Sequence, residues 1–373
     1  MRKNVFLLLL PVCFLAALLF SGCAADREKQ QQTRTVIDQR GKEIVIPRQV
    51  ERIVAFHAPV AAIIPALDGT GERLAGMHPI AMRAISDGML GEIYPELKEV
   101  PTELIRGGLF APNVEELLKL NPDVVFQICD AGEEIIKPME DVGIPVIGVT
   151  GVSAEQEELE EWIELAGKVL GKEEKAAALA DYHRVEIEQL VERLGSLTER
   201  PRVLFVRSMD GVTTVGGMGG GFYQWRFELT GAENVAAALP AKIQAVNNEQ
   251  VMEWNPDIIY VENRTGLGDL TSESILNNQF QGWHWRGISA VDSGRVYEVP
   301  LGGFYWAPQS HEAPLMWKWM AGIQHPGEVD FSLRDDIKDF YHKFYDYSLS
   351  EAQLDQILRC DKPGNKNLPY CRD

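Results

Sequence analysis

One stretch of this chain is written twice. Glu115–Phe126 reads Glu-Glu-Leu-Leu-Lys-Leu-Asn-Pro-Asp-Val-Val-Phe, and Glu249–Tyr260 reads Glu-Gln-Val-Met-Glu-Trp-Asn-Pro-Asp-Ile-Ile-Tyr. Each copy starts as a short amphipathic helix, breaks at Asn-Pro-Asp and continues as an apolar strand. Pro122 and Pro256 cannot continue a helix, and they bias the residue before them towards extended backbone. The flanks echo each other too. Arg52–His57 matches Arg202–Arg207 as a first strand, and Pro145–Val149 and Arg295–Val299 read as later strands. Strands alternating with helical stretches predict parallel sheets. The repeat therefore predicts two similar α/β half-molecules.

Between the copies, residues 155–195 are rich in Glu, Ala, Leu and Lys and hold no proline. They read as one long helix, or as two abutting at Gly171. The part after Gly171 would span roughly 36 Å at 1.5 Å per residue. The predicted fold is α/β: two Rossmann-like lobes with mainly parallel sheets, joined by a long α-helical strut, with a ligand cleft between the lobes. The boundaries are 35–154 for the first lobe, 155–197 for the helical linker, 198–358 for the second lobe and 359–373 for a C-terminal tail. The first lobe opens on a hairpin, Thr35–Asp38 and Glu43–Ile46 around a turn containing Gly41.

The N-terminus predicts export. Arg2 and Lys3 precede an apolar run, Val5–Leu19, and Phe20-Ser21-Gly22-Cys23 follows. This is a secretory signal pattern over 1–22. The small pair before Cys23 resembles a lipoprotein box, in which the cysteine is lipidated and becomes the first mature residue. Phe20 stands where Leu is commoner. An uncleaved anchor is the alternative, although the run is short beside the roughly 20 residues a membrane span needs. Residues 23–34 then form a polar, lipidated tether. The location predicted is the outer side of the cell membrane, held there by lipid alone. Cys129 reads as a small buried hydrophobe. An exported compartment permits a disulfide between Cys360 and Cys371.

A net charge of −19, with 24% charged residues and no basic stripe, excludes non-specific nucleic-acid binding. No Gly-x-Ser-x-Gly elbow and no P-loop appears, and His311-Glu312 lacks the second histidine of a metalloprotease helix. Hence no catalytic residues and no enzyme are predicted. In α/β sheets ligands bind outside the carboxyl ends of the strands. That rule selects His57 and Arg207 at the ends of the equivalent first strands, His78 after a second strand, and Arg264 after the second repeat strand. Tyr223 follows a glycine cluster, and Tyr305 and Trp306 follow the last strand with aromatic faces. Arg207 suits a carboxylate or oxyanion. His57 and His78 suit an anion or a metal, and a cleft of His57, His78 and His311 would suit a metal ion.

The Asp38…Gly41…Ile44-x-Ile46-Pro47 opening, Arg52-Ile53-Val54, both Asn-Pro-Asp blocks and Gly171-Lys172 together resemble a known family. It is that of ABC-importer binding proteins with two lobes joined by a rigid helix, which take ferric siderophores, haem and vitamin B12. The resemblance implies a substrate-binding lipoprotein that captures a metal chelate and needs no cofactor of its own, the ligand itself carrying iron or cobalt. It implies an ABC permease and its ATPase as partners, and a monomeric carrier that closes only slightly. It implies that Glu115 and Glu249 dock on the permease and that Gly108 and Leu109 contact ligand. A binder of a small oxyanion of the molybdate or tungstate type, or of a bare metal ion, is the alternative on the same fold. An exported enzyme on that scaffold is another.

Overall fold

The computed structural model describes residues 32–105, 110–151, 156–209, 212–216, 222–240, 243–262, 270–329 and 331–371. The hairpin of β1 (Thr33–Ile37) and β2 (Glu43–Pro47) is antiparallel, with Gly41 at φ +73° in the turn. The buried Asp38 carboxylate accepts from Arg40 N and Lys42 N, and also from Gly148 N, which ties the hairpin to the first lobe.

That lobe runs β3 (Ile53–Ala55), α1 (Ala58–Asp68), β4 (Leu74–Met77), α2 (Pro79–Asp87), α3 (Leu90–Ile93), α4 (Val114–Leu120), β5 (Val124–Ile128), α5 (Lys137–Glu140) and β6 (Val146–Val149). Its sheet has the order β4-β3-β5-β6 and is parallel throughout. The strands β3, β5 and β6 are buried at every residue, which is why they read as unbroken apolar runs.

The linker resolves into α6 (Gln156–Leu170) and α7 (Glu173–Leu194), with Gly171 between them at φ +68°. The two pack side by side rather than end to end. At Gly167 an added Cβ would lie 2.4 Å from that of Ala176, so only glycine permits this approach. Leu159, Trp162 and Ile163 of α6 join the core around α1 in the first lobe. Only α7 bridges. Its 22 residues rise about 33 Å, and it reaches α8 and α12 of the second lobe.

The second lobe runs β7 (Arg202–Met209), β8 (Val212–Gly216), α8 (Phe222–Leu229), β9 (Glu233–Asn234), β10 (Ile243–Ala245), α9 (Asn248–Trp254), β11 (Ile258–Val261), α10 (Ser272–Leu276), α11 (Ser289–Asp292) and β12 (Val296–Glu298). Then come α12 (Ala313–Gln324), α13 (Leu333–Tyr345) and α14 (Glu351–Leu358). Strands β9, β11 and β12 run parallel with β7, while β8 and β10 form an antiparallel edge that the repeat did not foretell.

The repeat holds down to single hydrogen bonds. Ile53 pairs with Val124 as Val203 pairs with Ile258. Asn121 (φ 45°) and Asn255 (φ 42°) both close their helices in the left-handed region. Asp123 N donates to Arg52 O at 2.8 Å, and Asp257 N donates to Arg202 O at 2.7 Å. The same aspartates accept from the two arginine amides, each at 2.9 Å. The Asn-Pro-Asp segments thus lie in two separate sheets.

One hydrophobic cluster nevertheless runs through both lobes. Phe340, Tyr341, Phe344 and Tyr345 on α13 fill the seam against α1. Tyr94 Oη donates to Tyr345 O at 3.4 Å, and Met89 N donates to Gly302 O at 2.9 Å. The segment 359–371 is not a loose tail. Cys360 and Cys371 form a disulfide, and Asn365 bonds both ways to Glu298 of β12. Among the described residues, no helix is long and apolar enough to cross a membrane.

Candidate ligand cleft

The carboxyl ends of the first sheet gather four residues. His57 follows β3 and caps α1, with 3% of its surface exposed. Its ring meets Trp162 edge-on, the centroids 4.3 Å apart, and its Nδ1 has no hydrogen-bond partner among the described residues. Burial pulls its pKa down to about 3; Asp130 opposes that and His78 adds to it. His78 follows β4 and caps α2, its Nδ1 accepting from Ile80 N at 3.0 Å. Asp130 follows β5 and accepts from Gly151 N at 3.0 Å. Gly151 follows β6, and a Cβ there would stand 3.3 Å from His57 Cδ2.

The second sheet presents a charged group. Arg207 occupies the position on β7 that His57 occupies after β3. Its Nη1 is 3.7 Å from Glu262 Oε2, and its Nε donates to Thr214 Oγ1 at 3.3 Å. Glu262 follows β11 directly and is buried. Tyr223 of α8 points its hydroxyl at the same carboxylate, 3.5 Å away. The Tyr223 ring packs on Phe205 and fills the space that Gly216 leaves. One turn further along α8, Arg226 is buried and donates Nη1 to Ala307 O at 2.8 Å. Burial lowers its pKa to about 10, while Tyr223 and Glu262 favour its charge. Arg226 is buried behind the others, so Arg207, paired with the Glu262 carboxylate, is the guanidinium of this group that keeps some exposure.

Other expected residues fall elsewhere. Trp306 is fully buried and donates its indole N–H to Glu312 at 2.8 Å, and Tyr305 is buried beside it in the core. Neither offers the open ring face that strand-end position suggested, because the loop after β12 is pressed against α2 and α3 of the first lobe. Glu312 also accepts from Gly303 N and Tyr345 Oη, and burial pushes its carboxyl pKa up. His311 bonds Tyr345 Oη through its ring and accepts through its carbonyl from His183 Nε2 at 2.9 Å. The trio of His57, His78 and His311 is therefore not assembled: His311 belongs to the seam with α7 and α13. Among the described residues, no group of three His, Cys, Asp or Glu side chains is arranged to hold a metal. Glu115 and Glu249 stand exposed in the first turns of α4 and α9. Gly108, Leu109, Arg264 and Cys23 lie outside the described residues.

Sequence reasoning passed over Asp130, Trp162, Arg226 and Glu262. Glu262 was within reach, since it is the first residue after the second repeat strand. Arg226 lies three residues after Tyr223, the spacing of one helical face. Trp162 comes from a helix that only the folded chain brings to His57.

Comparison with known proteins agrees with this architecture. Residues 98–301 match the periplasmic binding protein family. A solved periplasmic solute binding protein from Veillonella parvula superimposes with TM-score 0.81 at 30% identity, covering 91% of this chain and 99% of that one. The molybdate-binding protein MolA of Haemophilus influenzae is 30% identical over 90% of this chain and 95% of its own length. Its molybdate-bound structure aligns with TM-score 0.73 at 28% identity, covering 85% of this chain and 99% of MolA. The iron-uptake system-binding protein of Bacillus subtilis is 23% identical over 82% of this chain and 95% of itself. Two lobes with parallel sheets, a bridging helix and these relatives make the chain a member of the periplasmic binding protein family, the substrate-binding components of ABC importers.

Proposed function

We propose that this chain is the carrier that captures a small tetrahedral oxyanion of the molybdate class and delivers it to an ABC permease. The observation that carries the reading is Arg207, a partly exposed guanidinium two residues short of the end of β7, held between Glu262 and Thr214. A guanidinium is a fork of donors suited to oxyanion geometry, and Glu262 holds that fork in one orientation. His57, neutral at physiological pH and buried past the end of β3 in the first lobe, would supply a further polar atom without adding charge. The resemblance to MolA supports the same class.

A metal chelate, the ligand the family resemblance first implied, remains the second reading and is favoured by the iron-uptake relative. Against it, Tyr305 and Trp306 lie in the core and give no platform for a large ring. In this proposal the protein is exported as a monomer and held to the membrane by lipid on Cys23. Glu115 and Glu249 dock on the permease.

Calorimetric titration separates the ligand readings. Stoichiometric binding of molybdate or tungstate is expected, and Arg207→Ala should weaken it at least tenfold, since losing a charged hydrogen bond costs about 1.5–3 kcal/mol. Binding of ferric siderophore or haem with none of molybdate would overturn the oxyanion reading and leave the carrier role standing.

A further inference from the structure

The two short helices of the repeat share more than a glutamate. Along α4, burial alternates in the same order as along α9, position for position. Leu117 and Val251 point into their lobes and are fully buried. The next residue in each helix is a large apolar side chain facing water: Leu118 is 51% exposed and Met252 is 43% exposed. Both stand three residues after the exposed glutamate, Leu118 after Glu115 and Met252 after Glu249. Residues at that spacing share a helix face with Cβ atoms about 5–6 Å apart.

Single exposed hydrophobes are ordinary on protein surfaces. Here one recurs at the same repeat position on both lobes while its surroundings diverge. Lys119 in the first helix is Glu253 in the second, and Glu116 is Gln250. Lys119 is moreover engaged with Glu116 at 2.7 Å. What the two patches keep in common is a carboxylate and an apolar knob. Packing cannot be the reason, since neither knob is buried. Topology puts both patches at the same end of their sheets: each helix runs back along its sheet before the next parallel strand, so it begins beside the strands' carboxyl ends.

We propose that Leu118 and Met252 are apolar knobs that extend the docking of Glu115 and Glu249 on the permease, one knob beside each carboxylate. This rests on the delivery role proposed above. Each permease half would supply a cationic side chain and, one helical turn away, an apolar socket. The partner must be basic at these points, because the carrier's net charge is −19 and both patches lead with a carboxylate. The same charge opposes seating a second copy of this chain there. In this arrangement the carboxylates steer approach, and the knobs slow departure by leaving water.

The test uses the full mature protein and its host's own permease, assembled with the ATPase in lipid nanodiscs. Leu118→Gln and Met252→Gln should each weaken permease binding about tenfold, and together about a hundredfold, with melting temperature and molybdate affinity unchanged. Raising salt should weaken the wild type and the double glutamine variant by a similar factor, because the knobs carry no charge. Wild-type permease affinity in the double glutamine variant, beside a loss in Glu115→Ala/Glu249→Ala, would overturn the apolar dock and leave delivery standing. Unchanged affinity in both double variants would sink the docking assignment itself. A wild-type dimer in sedimentation that the glutamine variant abolishes would show that the knobs meet a second copy, and would also overturn the proposal.

Discussion

Three histidines sit inside this protein without charge. Burial pulls His57 and His311 down to about 3 and His183 to about 4. The unfolded chain protonates each near 6.5, whereas the folded chain keeps them neutral well below that. Their contribution to stability is therefore complete above pH 6.5 and is lost as pH falls, at about 1.4 kcal/mol per pH unit for each histidine. Glu312 works the other way, because burial makes the folded carboxyl hold its proton more readily. Burial lowers His325 as well. With four histidines against one carboxyl, the melting temperature should fall steadily from pH 7 to pH 5; a flat profile over that range would contradict the burial of these rings. At this scale the sequence was only partly legible. His57 and His78 could be placed past strand ends, because backbone topology alone puts them there, whereas Arg207, expected at a strand end, lies inside β7, which the hairpin with β8 extends to Met209. His311 and Trp306 could not be placed, since their surroundings are built from α7, α13 and the loop after β12, which come together only in the folded chain.

At the scale of elements, the repeat predicted what local physics controls. Proline and asparagine end both short helices, and β-branched runs give β5 and β11. The linker was harder to read. Its composition announces helix on either side of Gly171, but the fold-back that gives α6 to the first lobe depends on the close approach at Gly167 and Ala176. The antiparallel edge β8 and β10 carries no echo in the first lobe, so the repeat was silent about it. The last segment also proved to be part of a lobe. Its disulfide closes a short loop, a sequence separation of 11, over residues bonded to β12. Cys360→Ser/Cys371→Ser should lower unfolding free energy by about 3 kcal/mol in denaturant titrations, with ligand affinity unchanged. No loss of stability would mean that the docked chain, not the bond, holds the segment.

Over the whole molecule, the half-molecules are joined by more than their bridging helix. A hydrophobic cluster passes from one to the other, and α13, with the loop around Gly302, is wedged into the seam. Opening such a seam would expose Tyr345, Phe344 and their neighbours, at about 1.5–3 kcal/mol for each large side chain. Small-angle scattering of the empty and loaded carrier should therefore give nearly superimposable curves; a clear drop in radius of gyration on loading would show a hinge that this packing forbids. A carrier with so constant an outline gives the importer little shape by which to distinguish a full vessel from an empty one. Empty carriers would then queue for the same berth as full ones, and transport should slow when they are in excess over cargo.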